Sequence, residues 1–269
     1  MKKYNIGFIG CGKMASAIIK GLIKSDFSKP EELLATQAER EGLEAKSKEL
    51  GIEVILDNKE LVKRSDVVII AVKPNQVEGV LDEIKEFLTP GKLLVSIAAG
   101  VTTHFLESKL SDGTKVIRVM PNTPALVGEG MSGICGGKFA QEENLEYIKN
   151  LLSSIGKCII VDESQIDIVT AISGSGPAFF YKVINDIARA GESLGMDYEN
   201  ALLLSIQTAI GSAKMAMNRT VSMEELIANV ATKGGCTRVG VDCMEEMNTG
   251  KIFGDVIKYT TEKAHALGK

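Results

Sequence analysis

The residues best suited to chemistry in this chain are glycines at set spacings. Gly10-Cys11-Gly12-Lys13-Met14-Ala15 follows the apolar run Tyr4 to Ile9 and leads into an amphipathic stretch. Strand, G-x-G-x-x-A and helix in that order form a dinucleotide site. Gly10 permits a tight turn, Gly12 lets the backbone approach a pyrophosphate, and Ala15 allows close packing of helix on strand. Unpaired N–H groups at the helix start then hold phosphate oxygens. A carboxylate ending the second strand would select the ribose 2′-hydroxyl of NAD. Here that strand ends Leu34-Ala35-Thr36-Gln37, with Glu39 and Arg40 beyond. Hydroxyl, amide and guanidinium groups suit a 2′-phosphate better, so the expected cofactor is NADP, with NADPH preferred and NADH possible.

Three further segments carry reactive or ligand-binding groups. Val67 to Val72 ends in Lys73-Pro74, where Lys73 is either an acid or a cation near the cofactor. Ser173-Gly174-Ser175-Gly176-Pro177 breaks an apolar helical pattern, and two interior glycines plus a proline cost roughly 5 kcal/mol against good helix formers. Either a helix begins afresh at Pro177 with Ser175 near its cap, or the small residues admit a close neighbour. In Ala231-Thr232-Lys233-Gly234-Gly235-Cys236-Thr237, the glycine pair lies between one helix and the next. Such a turn, followed by a helix N-terminus, makes a concave carboxylate site, with Thr237 able to hydrogen-bond a substrate. The stiff loop Arg118-Val119-Met120-Pro121-Asn122-Thr123-Pro124 names no reaction by itself.

The elements that must position these groups fall into two parts. Up to about Val161, short apolar runs alternate with amphipathic stretches, the pattern of a parallel sheet with crossover helices. Strands are expected at Ile6 to Ile9, Glu32 to Ala35, Val67 to Val72, Leu93 to Ile97, Lys115 to Met120 and Cys158 to Val161. Beyond that point apolar residues recur at helical spacing in Ile166 to Leu194, Tyr198 to Met217, Met223 to Val230 and Arg238 to Met247, with no strand among them. The fold class is therefore α/β: an N-terminal Rossmann-like doubly wound sheet at 1–162, then an all-helical domain at 163–269. The helices are apolar on more than one face, as in Ala201-Leu202-Leu203-Leu204-Ser205-Ile206, and roughly 100 residues struggle to cover such a surface alone. A homodimer through this part is expected, the alternative being an intramolecular bundle packed on the first domain.

Composition removes other classes. The 269 residues carry 31 Lys plus Arg against 35 Asp plus Glu, so no excess of basic charge is available for nucleic acid. Five cysteines without C-x-x-C spacing argue against a disulfide framework or zinc site, and no metal is expected. No run reaches the length of a membrane helix, and a cytoplasmic location is expected. Only His104 and His265 could serve as histidine bases.

Gly7-Phe8-Ile9-Gly10-x-Gly12-x-Met14, Ala71-Val72-Lys73-Pro74, Met120-Pro121-Asn122-Thr123-Pro124, Ser173-Gly174-Ser175-Gly176-Pro177-Ala178 and Gly234-Gly235-x-Thr237 resemble pyrroline-5-carboxylate reductase in order and approximate spacing. The resemblance covers essentially the whole chain, and its last two motifs are specific to that family. It implies NAD(P)H-dependent reduction of the imine of 1-pyrroline-5-carboxylate to L-proline, the last step of proline biosynthesis. It also implies a dimer built by the helical domain, with higher assemblies of dimers in several members. Carried over by position, cofactor contacts fall on Ile9, Gly10, Cys11, Gly12, Lys13, Met14, Thr36, Asn58, Val72, Lys73 and Ala99. Substrate contacts fall on Asn229, Cys236 and Thr237, with Glu163 as a further contact. The chemistry of their own segments adds Ser175, Gly234 and Gly235. Thr237 is the expected catalytic residue. Lys233 departs from a usual proline and Cys236 from a usual small residue.

Two rivals remain at this stage. A β-hydroxyacid dehydrogenase also joins a G-x-G-x-M start to helices, but needs a buried lysine acid/base, for which Lys182 and Lys214 are the candidates. A dinucleotide-sensing subunit needs no catalytic group at all.

Overall fold

The computed structural model describes residues 4–268. Contacts divide these residues into two compact units, one of 4–175 with 260–268 and one of 176–259. The division expected from sequence stands at 162/163.

The first unit is an eight-stranded sheet in the order β3-β2-β1-β4-β5-β6-β7-β8. Its strands are β1 (Ile6–Ile9), β2 (Leu33–Thr36), β3 (Glu53–Ile55), β4 (Val67–Ile70), β5 (Leu93–Ser96), β6 (Lys115–Met120), β7 (Gly130–Gly136) and β8 (Gly156–Ile160). β1 to β6 are parallel, β7 runs antiparallel to β6, and β8 is parallel to β7. The six strands expected from sequence are all present, and β3 and β7 are additions.

Helices α1 (Lys13–Lys24), α2 (Leu43–Leu50), α3 (Asn58–Arg64), α4 (Val77–Ile84), α5 (Thr103–Ser108) and α6 (Glu142–Leu152) flank the sheet. Strand side chains alternate between two buried layers. Phe8 and Ile69 pack with Ile18 and Ile148 on one side; Ile9 and Ile70 pack with Leu61 and Leu81 on the other. Burial on both faces is why these strands read as continuous apolar runs rather than alternating ones.

After β8 the chain enters α7 (Ile166–Val169) and one π turn over Thr170–Gly174. The second unit then holds α8 (Gly176–Ser193), α9 (Tyr198–Met217), α10 (Met223–Val230), α11 (Cys236–Glu246) and the greater part of α12 (Thr249–Leu267). Pro177 sits in the first turn of α8, where its missing N–H costs nothing, so the helix does begin afresh there. α8 and α9 meet through small side chains, with Ala188, Ala201 and Ser205 buried and Tyr198 donating to Asn185 Oδ1 at 3.0 Å. Large apolar residues of this unit, including Phe180, Leu203, Ile210 and Val239, lie exposed. No helix among the described residues is long and apolar enough to cross a membrane.

Candidate functional site

The strand register brings Ile9, Thr36, Ile70 and Ser96 side by side, so the carboxyl ends of β2, β1, β4 and β5 form one edge. The chain order reverses between β1 and β4, the switch point at which open α/β sheets take their ligands. At this edge Gly10 adopts φ +95, and a Cβ on it would lie 2.9 Å from Ala71 O. Only glycine meets both conditions. Gly12 has ordinary backbone angles and caps α1, yet nothing lies within 4 Å of the place its Cβ would occupy. That open space over the free N–H groups of a helix start is shaped for a phosphate.

The other expected cofactor residues surround this turn. Gly10 N donates to Thr36 Oγ1 at 3.4 Å, and Thr36 Oγ1 donates to Asn58 Oδ1 at 2.7 Å. Glu83 accepts from Asn58 Nδ2 at 2.8 Å. Cys11 Sγ stands 3.7 Å from Gln37 Oε1, and burial pushes its thiol pKa up. Ala71 N donates to Ile9 O at 2.9 Å, which sets Val72 against the Gly10 turn. Lys73 and Ala99 are exposed beyond the ends of β4 and β5. Arg40 is exposed beyond β2, and its guanidinium has no partner among the described residues. A cavity of about 930 Å³ lies along α1 but shares only Gly12 and Lys13 with this set.

Glu163 and Ser175 lie in the first unit but away from this turn in sequence. Glu163 Oε1 accepts from Thr103 N at 2.7 Å and from Arg118 Nη1 at 3.2 Å, while its Oε2 accepts from the Thr103 hydroxyl. Arg118 is buried on β6 and also faces Asp167 at 3.7 Å, and Asp167 meets His265 Nδ1 at 3.1 Å. Ser175 N donates to Thr170 O at 2.8 Å, closing the π turn just before α8. Asn122 lies in the stiff loop that follows β6. It is buried, its Nδ2 donates to Ser173 O at 3.0 Å, and its Oδ1 accepts from Met131 N at 2.9 Å. A π turn misaligns backbone partners, and the Asn122 amide takes up one of the carbonyls.

In the second unit, Ala231 N closes α10 on Ile227 O at 2.8 Å, and Gly234 takes φ +79. Gly235 then caps α11 without a side-chain bond. The first hydrogen bond into the new helix comes from Arg238 N, at 3.2 Å to Gly235 O, so the N–H groups of Cys236 and Thr237 start the helix without a carbonyl behind them. Both are donors at the positive end of the helix dipole. Thr237 is half-buried, Cys236 and Asn229 are exposed, and Lys233 has no ion-pair partner among the described residues. Most residues expected to bind ligands thus gather into two sets, one at the sheet edge and one at the α10–α11 turn, with Glu163 and Ser175 in neither. The lysines needed by a hydroxyacid dehydrogenase do not fit that role. Lys182 is 73% exposed and paired with Asp186, and Lys214 is exposed.

Comparison with known proteins adds to this geometry. Residues 163–267 match the family described as pyrroline-5-carboxylate reductase dimerisation, and residues 5–100 match one described as NADP oxidoreductase, coenzyme F420-dependent. A pyrroline-5-carboxylate reductase of Methanosarcina acetivorans is 40% identical over the full length of both chains. The solved structure of a pyrroline-5-carboxylate reductase from Coxiella burnetii superposes with a TM-score of 0.95 at 32% identity, covering both chains fully. That of a pyrroline carboxylate reductase from Plasmodium falciparum with NADP bound gives 0.86 at 32% identity, again over the whole of both chains.

Proposed function

This chain belongs to the pyrroline-5-carboxylate reductase family, and from that membership we propose how its own residues carry the reaction. The enzyme reduces the imine of 1-pyrroline-5-carboxylate to L-proline with NAD(P)H, the last step of proline biosynthesis. When bound, NADPH supplies the hydride.

The sheet edge fits that cofactor on its own chemistry: an open glycine over free helix N–H groups, a β2 that ends in Thr36-Gln37 with no carboxylate, and Arg40 a few residues beyond, next to Glu39. Ile9 to Met14 hold the pyrophosphate, and Arg40 faces the 2′-phosphate. Thr36 and Asn58 brace the glycine turn, while Val72, Lys73 and Ala99 line the way to the nicotinamide.

A protonated imine is already a strong electrophile, so the protein mainly has to position it and exclude water. Gly234, Gly235 and the N–H groups of Cys236 and Thr237 bind the substrate carboxylate. Thr237 Oγ1 accepts a hydrogen bond from the protonated ring nitrogen and holds the imine for attack. Asn229 and Ser175 complete the substrate contacts. Glu163, whose oxygens Thr103 and Arg118 engage, orients its surroundings. The observation that carries this assignment is the α10–α11 turn, which offers two free amides and one hydroxyl within four residues.

The chain forms homo-oligomers through its dimerisation segment, and the exposed apolar side chains of α8, α9 and α11 supply the surface. We extend this reading to a helical dimerisation domain of 163–269, a higher assembly of dimers and a cytoplasmic location. The activity is tested by following NADPH oxidation. Turnover on adding 1-pyrroline-5-carboxylate, and none with hydroxyacids or their oxo forms, is expected. Tight NADPH binding without turnover would favour the sensing subunit instead.

A further inference from the structure

Ser173 and Pro177 stand four residues apart, the spacing at which a helical carbonyl meets its N–H donor. Pro177 has no N–H, and a proline ring collides with a carbonyl placed four residues earlier in an α-helix. The backbone avoids that collision by widening: α7 passes into the π turn at Thr170–Gly174, and Ser175 N reaches five residues back to Thr170 O at 2.8 Å. Proline thus deprives Ser173 O of its helical donor, and Asn122 Nδ2 takes that role from a distant segment at 3.0 Å. The Asn122 side chain is held for this by a second bond. β6 and β7 pair as far as Met120↔Gly133, so Asn122 comes opposite Met131, whose N–H donates to Asn122 Oδ1 at 2.9 Å. The amide therefore extends the ladder past Pro121, which has no N–H to offer. The turn also rests on the end of β6, where a Cβ on Gly174 would lie 2.6 Å from Met120 Cε. Within the turn, the hydroxyls of Thr170 and Ser173 donate to Ile166 O and Val169 O at 2.8 and 2.9 Å. Half-buried Ser175 differs, because its hydroxyl has no hydrogen-bond partner among the described residues.

We propose that Asn122 is a positioning residue for the reduction: by holding Ser173 O it keeps the turn in π register, and that register presents the free hydroxyl of Ser175 to the substrate. The proposal rests on the reading above in which Ser175 contacts the substrate. A π turn carries one residue more than the α turn it replaces, so relaxation to α register swings Ser175 by about 100°, the angle of one helical residue. Asn122 itself touches neither substrate nor cofactor and acts only through Ser173 and Ser175.

Asn122→Asp gives the most direct test. Ionised, its carboxylate accepts from Met131 N but cannot donate to Ser173 O; protonated, its hydroxyl donates and the native pair of bonds returns. Burial favours the protonated form, so the bond to Ser173 is regained as pH falls. Steady-state kinetics on the full chain are taken as the ratio of variant to native kcat/KM for 1-pyrroline-5-carboxylate at each pH, beside an NADPH titration. The ratio is expected to be down at least about tenfold near pH 8.5 and to recover to within about threefold of native near pH 6, with NADPH Kd unchanged at both. A ratio near one throughout, or a loss that is the same at both pH values, overturns the proposal. Asn122→Ser, smaller and neutral, covers the case in which a buried charge unfolds the protein. Its hydroxyl is too short to reach both partners, so a loss of kcat/KM independent of pH is expected, and native kcat/KM overturns the proposal. In a Ser175→Ala background the loss from either Asn122 variant is expected to vanish, and additive losses overturn the route through Ser175. Native kcat/KM in Ser175→Ala alone overturns the reading of Ser175 as a substrate contact, which separates that failure from one confined to Asn122.

Discussion

Thr36 Oγ1 donates to Asn58 Oδ1 at 2.7 Å while accepting the amide of Gly10. Its one proton is therefore already committed to the brace that ties β2, the glycine turn and α3 together. In the reading proposed above, Thr36 acts on the cofactor through the shape of that turn, and Arg40, unpartnered among the described residues beyond the same strand, is the group assigned to choose between a 2′-phosphate and a bare ribose.

Arg40→Ala is accordingly expected to weaken NADPH and spare NADH. A charge-assisted bond of about 1.5–3 kcal/mol corresponds to roughly a ten- to hundred-fold rise in Kd for NADPH. Thr36→Val is expected to weaken both cofactors alike. Titration of each variant with the two cofactors checks this, and an undiminished preference for NADPH in Arg40→Ala overturns it.

Gly10 and Gly12 are expected to fail in different ways. Gly10→Ala meets a positive φ and the Ala71 carbonyl together, so thermal unfolding is expected to show a loss of about 1–3 kcal/mol. Gly12→Val has free space and ordinary backbone angles, so it keeps the fold and instead fills the phosphate's place. NADPH affinity falls while stability stays close to native. A Gly12→Val protein that binds NADPH normally contradicts the assignment of the turn.

Burial beside Arg118 and Glu163 pushes the Cys135 thiol up to about 12, from an ordinary value near 9, with desolvation the main cause. The folded state therefore keeps a proton that the unfolded chain gives up. Stability from this group is fully present below about pH 9 and is lost as pH rises towards 12, by an amount on the order of a few kcal/mol. Denaturant unfolding between pH 8 and 11 checks this: the alkaline loss is expected to shrink in Cys135→Ala, and an equal loss in both proteins contradicts it.

The sheet was legible where strands are buried on both sides, because β1, β4 and most of β5 then read as apolar runs, while in β6 only Arg118 interrupts the apolar residues between Lys115 and Met120. β7 was not, because Gly130, Gly133 and Gly136 dilute its pattern, and at Gly133 the reason is Val169, a contact no local pattern contains. β3 has three residues, too few for a period. In the helical part α12 is weakly written, with Gly250 and Gly254 in its first turns. At the site, motifs marked the glycine turns, while Asn122 showed only as a polar residue between prolines. Its role depends on Ser173, which is distant in sequence.

The central claim, that the α10–α11 turn holds the imine through Thr237, is tested most directly by Thr237→Ala in steady-state kinetics with an independent NADPH titration. Loss of one hydrogen bond to a charged group, about 1.5–3 kcal/mol, is expected to lower kcat/KM for 1-pyrroline-5-carboxylate roughly ten- to hundred-fold, with NADPH Kd unchanged and Thr237→Ser largely restored. Native kcat/KM in Thr237→Ala, or an equal loss of NADPH binding, contradicts it.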